Sequence, residues 1–125
     1  MLTGNNIVIY TLEPGYDSVR RFIDGQEAMV SAASRVEVLG YHKLTAQDHR
    51  KLEALFRSLL VLPVSEPIIE RAIALRQQRR MSLGDALIAA TALAHDPELV
   101  TANTGDFDWI AGLEIVNPVV GLYET

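Results

Sequence analysis

Residues 82–95 read Ser82-Leu83-Gly84-Asp85-Ala86-Leu87-Ile88-Ala89-Ala90-Thr91-Ala92-Leu93-Ala94-His95, and Leu99-Val100-Thr101-Ala102-Asn103-Thr104-Gly105-Asp106-Phe107 follows shortly after. The first stretch is apolar on most of its surface, which predicts a central helix over 83–95. Ser82 is placed to cap it. Asp85 stands three residues on, in the first turn, where an acid suits the helix dipole. Pro97 follows its end, and Leu99–Thr101 predicts a short strand. Asp106 then falls just past the C-terminal end of that strand, where α/β sheets place their sites.

Working outward, the same alternation of short β-type runs and longer helical periods continues, the signature of βα units around a parallel sheet. Residues 45–60 predict the clearest helix, capped by Thr45, with Leu52, Leu55, Phe56 and Leu59 at i, i+3, i+4, i+7. Leu60 to Val64 predicts a short buried strand. Ser65 then starts a helix that runs to about Arg80 through Ile69, Ala72, Ile73 and Leu75, with Pro67 in its first turn. Ala28–Ala32 reads as a strand, Ala33–Gly40 as a short helix and Glu114–Asn117 as a last strand. The start has two readings. Ile7-Val8-Ile9-Tyr10 favours a strand by propensity, while Asn5 or Asn6 before it equally caps a helix.

The chain of 125 residues is 49% hydrophobic and 22% charged, the profile of one globular domain over residues 1–125. It has no Cys, so disulfides, Cys-based metal sites and thiol nucleophiles are excluded. Its longest apolar run, Ala86 to Ala94, is far short of a membrane span, and the first basic residue is Arg20, unlike a secretory signal. A cytoplasmic protein is the expectation. No GxGxxG, GxxxxGK[ST], HExxH or GxSxG motif occurs. A receiver domain is disfavoured because the only lysines are Lys43 and Lys51 and no acid ends the first strand. The formal net charge of −5 argues against simple electrostatic capture of nucleic acid. It does not exclude a nuclease, because a bound cation reverses the sign of an acidic site.

Three acids stand among apolar or small neighbours. Glu37 lies between Val36 and Val38, which predicts partial burial and the need for a partner or a metal. Its plainer reading is a surface carboxylate paired with Arg35 or a backbone group. Asp85 is read either as a capping residue or as a ligand, and Asp106 as an Asx turn, a cap or a ligand. Together they suggest a cluster at the strand C-termini that holds a hard divalent cation through oxygen. Arg71, Arg76, Arg79 and Arg80 form either a solvated helix end or a contact to RNA phosphates.

The order D-A-L-I-A-A-T-A from Asp85, L-V-T-x-N-x-x-D-F from Leu99, and an apolar strand ending in Asn117-Pro118 closely resembles the C-terminal half of PIN domains. It is most similar to the VapC-type toxins of toxin–antitoxin pairs. Ser31 to Gly40 resembles the middle motif with its acid, and Asn6-Ile7-Val8-Ile9-Tyr10 resembles the opening. The likeness covers nearly the whole chain. It implies a three-layer α/β/α fold around a central parallel sheet, with Met1–Thr3 as strand and a helix from Asn6. It implies a Mg²⁺- or Mn²⁺-dependent endoribonuclease, the toxin of a type II pair, usually dimeric and restrained by a cognate antitoxin. Glu37, Asp85 and Asp106 would then be the catalytic and metal-site acids, and Asn6, Thr101 and Asn103 their polar supporters. The family opening D-x-N is replaced here by Gly4-Asn5-Asn6, so the first carboxylate is missing, and Ala102 replaces a usual basic residue. Two functions follow: a ribonuclease weakened at Gly4, or a PIN-fold module that binds an antitoxin or RNA without turnover.

Overall fold

The computed structural model describes residues 1–24 and 28–119. Five short strands form one all-parallel sheet: β1 (Leu2–Thr3), β2 (Met29–Ser31), β3 (Leu60–Leu62), β4 (Glu98–Val100) and β5 (Glu114–Val116). Their spatial order is β3-β2-β1-β4-β5. Six helices join and cover them: α1 (Asn5–Tyr10), α2 (Asp17–Asp24), α3 (Ala32–Leu39), α4 (Ala46–Ser58), α5 (Glu66–Gln78) and α6 (Leu83–His95).

Side chains alternate across the sheet and divide the core into layers. Leu2 and Leu99 point to the face covered by α5 and α6, where Leu62, Ile68, Ala72, Leu75 and the alanines of α6 pack. Val100 faces the other side with Ile7, Val19 and Ile23. Val30 lies on that side too, with Val8, Val38, Leu52 and Phe56. The result is the expected three-layer α/β/α arrangement around a parallel sheet. The small side chains Ala86, Ala89, Ala90 and Ala92 are fully buried, and α6 and α5 pack closely against each other.

The two readings of the start resolve in favour of the helix. Gly4 is extended and caps α1, and Ile7 and Val8 are buried in two different clusters. Burial on two sides of a helix outweighs the strand preference of β-branched residues. The positions beside β1 are already taken by β2 and β4.

Several expectations need correction. β3 is an edge strand, and Leu60 is 60% exposed rather than buried. α5 buries Ile68, Ala72 and Leu75, at i, i+4, i+7, and leaves Ile69 and Ile73 exposed. α2 has no counterpart in the sequence reading, although Val19 and Ile23 bury one turn apart. Among the described residues no helix is long and apolar enough to cross a membrane.

β1 is the central strand, and the chain moves from it to β2 on one side and later to β4 on the other. The crevice beyond the C-terminal ends of β1 and β4 is therefore the topological switch point, where open α/β sheets bind ligands. Gly4 follows β1 and Thr101 follows β4 at this place, and Gly4 N–H donates to the Val100 carbonyl at 2.9 Å.

Candidate functional site

The end of β2 leads directly into α3. Ser31 caps α3, its hydroxyl accepting from Ala33 N–H at 3.1 Å. This start sets the phase of the helix. Val38 turns into the core, and Glu37 turns toward the start of α6. Glu37 is exposed rather than partly buried, and among the described residues its partner is Asn5 rather than Arg35. Asn5 Nδ2 donates to Glu37 Oε1 at 3.1 Å. The Glu37 carboxylate lies against Gly84, in the space that a side chain there would fill.

Asp85 is the next residue. Ser82 caps α6, and its hydroxyl accepts from Asp85 N–H at 3.1 Å, so the capping reading of this pair holds. The Asp85 carboxyl also has two acidic neighbours, Asp106 and Glu37. Burial pushes its pKa above the ordinary value near 3.8. The Asp106 carboxylate raises it further and Glu37 adds to this, while the hydrogen bond from Ser82 works against them. Desolvation is the larger cause, and repulsion from the neighbouring carboxylates adds to it.

Asp106 ends a short 3₁₀ turn, Thr104–Asp106, beyond β4. Thr101 is buried and its hydroxyl accepts from Asn103 N–H at 3.1 Å, which turns the chain out of β4. Asn103 itself is exposed. Asn6 leaves both side-chain polar atoms buried without a partner among the described residues, and Asn5 Oδ1 is in the same condition. Unpaired buried oxygens are costly unless something completes them.

Glu37, Asp85 and Asp106 are thus brought to one end of the sheet, Glu37 and Asp106 each acting on Asp85. They do not form a ready-made cage. Among the described residues no three acidic or histidine side chains gather closely enough to hold a metal ion by themselves. The oxygen donors nonetheless suit a hard cation, which binds through one or two carboxylates and keeps several waters. Gly4 supplies no side chain. Its φ of −75° is open to any residue, so its backbone does not require glycine.

Gly84 and Trp109 were missed in the sequence, where Arg79 was read as part of a solvated helix end or of a contact to RNA phosphates. Gly84 stands in the first turn of a strongly helical stretch, and a glycine there hints at close packing. Arg79 lies over the Trp109 ring, 5.4 Å from its centroid, and Trp109 Nε1 donates to the Asp106 carbonyl at 3.0 Å.

A parallel sheet in this order, with acids carried on α3, on the first turn of α6 and beyond β4, defines a PIN domain. The PIN domain model matches residues 5–113, and the chain belongs to that family. Similar solved structures include a chain of a toxin–antitoxin complex from Klebsiella pneumoniae, 30% identical, with a TM-score of 0.77 over 94% of this chain and 96% of that one. FitAcB from Neisseria gonorrhoeae is 24% identical, with a TM-score of 0.76 over 94% of this chain and 96% of that chain. VapBC2 from Rickettsia felis, bound to a promoter DNA fragment, is 23% identical, with a TM-score of 0.81 over 93% and 96%. The last two bear on the fold alone. No curated protein matches the chain.

Proposed function

We propose that this chain is a VapC-like toxin of a type II toxin–antitoxin pair, acting as a divalent-metal-dependent endoribonuclease. The observation that carries the reading is the placement of Glu37 against the first turn of α6, beside an Asp85 whose carboxyl is also under the influence of Asp106. Glu37, Asp85 and Asp106 would hold Mg²⁺ or Mn²⁺, with waters and substrate phosphate completing the shell. Such a cation supplies charge stabilisation at the scissile phosphate and a more acidic bound water. The chain's own parts do the rest. Asn5 fixes the rotamer of Glu37, and Ser82 fixes Asp85 at the start of α6. Thr101 sets the turn that carries Asn103 and Asp106. Asn6 offers buried polar atoms to a water or a cation.

The antitoxin partner is proposed from the Klebsiella neighbour, whose complex contains one. The exposed apolar side chains Val36 and Leu83, 74% and 60% accessible, support a homodimer through the α3–α6 face. A cytoplasmic location fits this reading.

Gly4 favours a second reading, in which the chain binds an antitoxin or RNA without turnover, because the position at the end of β1 has no carboxylate. RNA cleavage by the native chain, Gly4→Asp and Asp85→Asn, each with Mg²⁺ and Mn²⁺, separates the two. Cleavage by the native chain that Asp85→Asn abolishes supports the ribonuclease. Cleavage by Gly4→Asp alone supports the binding module.

A further inference from the structure

Acids form only one wall of the site. Arg76, Arg79 and Arg80, at the end of α5, line the same depression of about 580 Å³ as Asp85 and Asp106. Guanidinium groups that share a pocket with carboxylates ordinarily pair with them. Here, among the described residues, none of the three makes an ion pair with either acid. Neutral groups hold two of them instead. Arg76 Nε donates to the Met81 carbonyl at 3.3 Å, and Arg79 rests on the Trp109 ring. Trp109 is in turn anchored to the Asp106 carbonyl, so the ring ties Arg79 to the segment that carries an acid of the site. Arg71, on the same helix, lines a separate depression with Leu75 and Ile110.

We infer that Arg76, Arg79 and Arg80 form a phosphodiester clamp that grips the RNA strand beside the carboxylates, with Trp109 as the positioning residue for Arg79. The inference rests on the ribonuclease reading of the same pocket. Three cations with donors to spare, held away from the nearby acids, match a strand of phosphates whose scissile member sits at the acids. A planar guanidinium stacked on an indole loses little freedom on accepting a phosphate. An acidic protein thereby obtains a local cationic track without a basic surface overall.

The test is anisotropy titration of a labelled single-stranded RNA over a range of salt, with metal chelated so that the strand survives. Arg76→Gln and Arg79→Gln are each expected to weaken binding by ~10-fold. Each should also flatten the salt slope by ~0.7, the share of one phosphate on a single strand. Arg71→Gln should bind as the native chain does. Trp109→Ala should lose the same slope as Arg79→Gln while lowering the melting temperature, because Trp109 also packs against the core, and Trp109→Phe should restore the slope. The clamp is overturned if the α5 variants keep native affinity and slope, or if Arg71→Gln weakens binding as much as they do. Tighter binding of a DNA strand of equal sequence through the same arginines overturns RNA as its ligand. Cleavage with Mg²⁺ separates the two levels. If the arginine variants cut at the native rate and KM, the clamp falls and the ribonuclease stands. If nothing cuts but the arginine-dependent slope persists, the ribonuclease falls and the clamp stands.

Discussion

The carboxylate of Glu37 occupies the space that a Cβ on Gly84 would fill. The obstacle to a larger residue is therefore the mobile end of an exposed side chain, not backbone. Gly84→Ala should fold and gain up to ~1 kcal/mol from helix propensity. It should also push Glu37 off its bond with Asn5 and lower RNA cleavage by ~10-fold or more. Thermal melting and a cleavage assay on one preparation check both halves. A more stable protein with native activity would remove Glu37 from the site.

Gly4→Asp should tighten cation binding. A Cβ at Gly4 meets the Val100 carbonyl at 3.2 Å and Thr101 Cβ at 3.5 Å, a fit that needs only a slight outward adjustment. A ligand that binds the folded state alone adds ~2.7 kcal/mol when present at a hundred times its Kd. The melting temperature should therefore rise more with Mn²⁺ in Gly4→Asp than in the native chain. Equal shifts would mean that the end of β1 takes no part in holding the cation.

Two acids oppose each other in their response to pH. Asp85 has a raised pKa, so its proton favours the fold. That contribution is full below the ordinary value near 3.8 and is lost as pH rises through the folded value. Asp96 is the reverse. A hydrogen bond from the N-terminal ammonium group, 2.7 Å away, and another from Glu98 N–H lower its pKa. Its contribution is present above about 3.8 and is lost as pH falls through the folded value. At neutral pH Asp85→Asn should raise the melting temperature and Asp96→Asn should lower it. Ser82→Ala should cost ~1 kcal/mol through the lost cap and raise the Asp85 pKa further.

An antitoxin that covers the acidic end of the sheet should bind partly through charge. Glu37→Gln combined with Asp85→Asn should then weaken the complex by ~10-fold or more in titration calorimetry, because close charge pairs at interfaces couple by ~1.5 kcal/mol or more. Unchanged affinity would place the contact elsewhere on the chain.

Much of the architecture was legible because the helices carry local signals. α6 runs over Leu83–His95 as its apolar surface and Ser82 predict, and Thr45 caps α4 as expected. Leu52 and Phe56 bury as the α4 stripe requires. Failures occurred where tertiary packing decides. Ile69 and Ile73 are as apolar as Ile68, and only the direction in which α5 meets α6 selects which of them is buried. Residues 7–10 prefer a strand until the positions beside β1 are filled. At the site, Glu37, Asp85 and Asp106 each read more readily as structural in isolation. Motif order united them, and packing then placed Glu37 on Gly84. The Asn5 contact was not legible, because it joins positions 32 residues apart. The contact of Arg79 with the Trp109 ring was not legible for the same reason.

The pairing of Leu2 with Leu99 and of Thr3 with Val100 joins an early segment and a late one at the centre of the sheet. Until β4 has been synthesised, β1 has no neighbour on that side, and Asp106 has not been made at all. A chain emerging from a ribosome therefore carries Gly4, Asn5 and Glu37 long before the surroundings that give them meaning. Prematurely terminated fragments ending before β4 lack the pocket altogether. Any chemistry that needs Asp106 beside Asp85 therefore waits until β4 and the turn after it have been made.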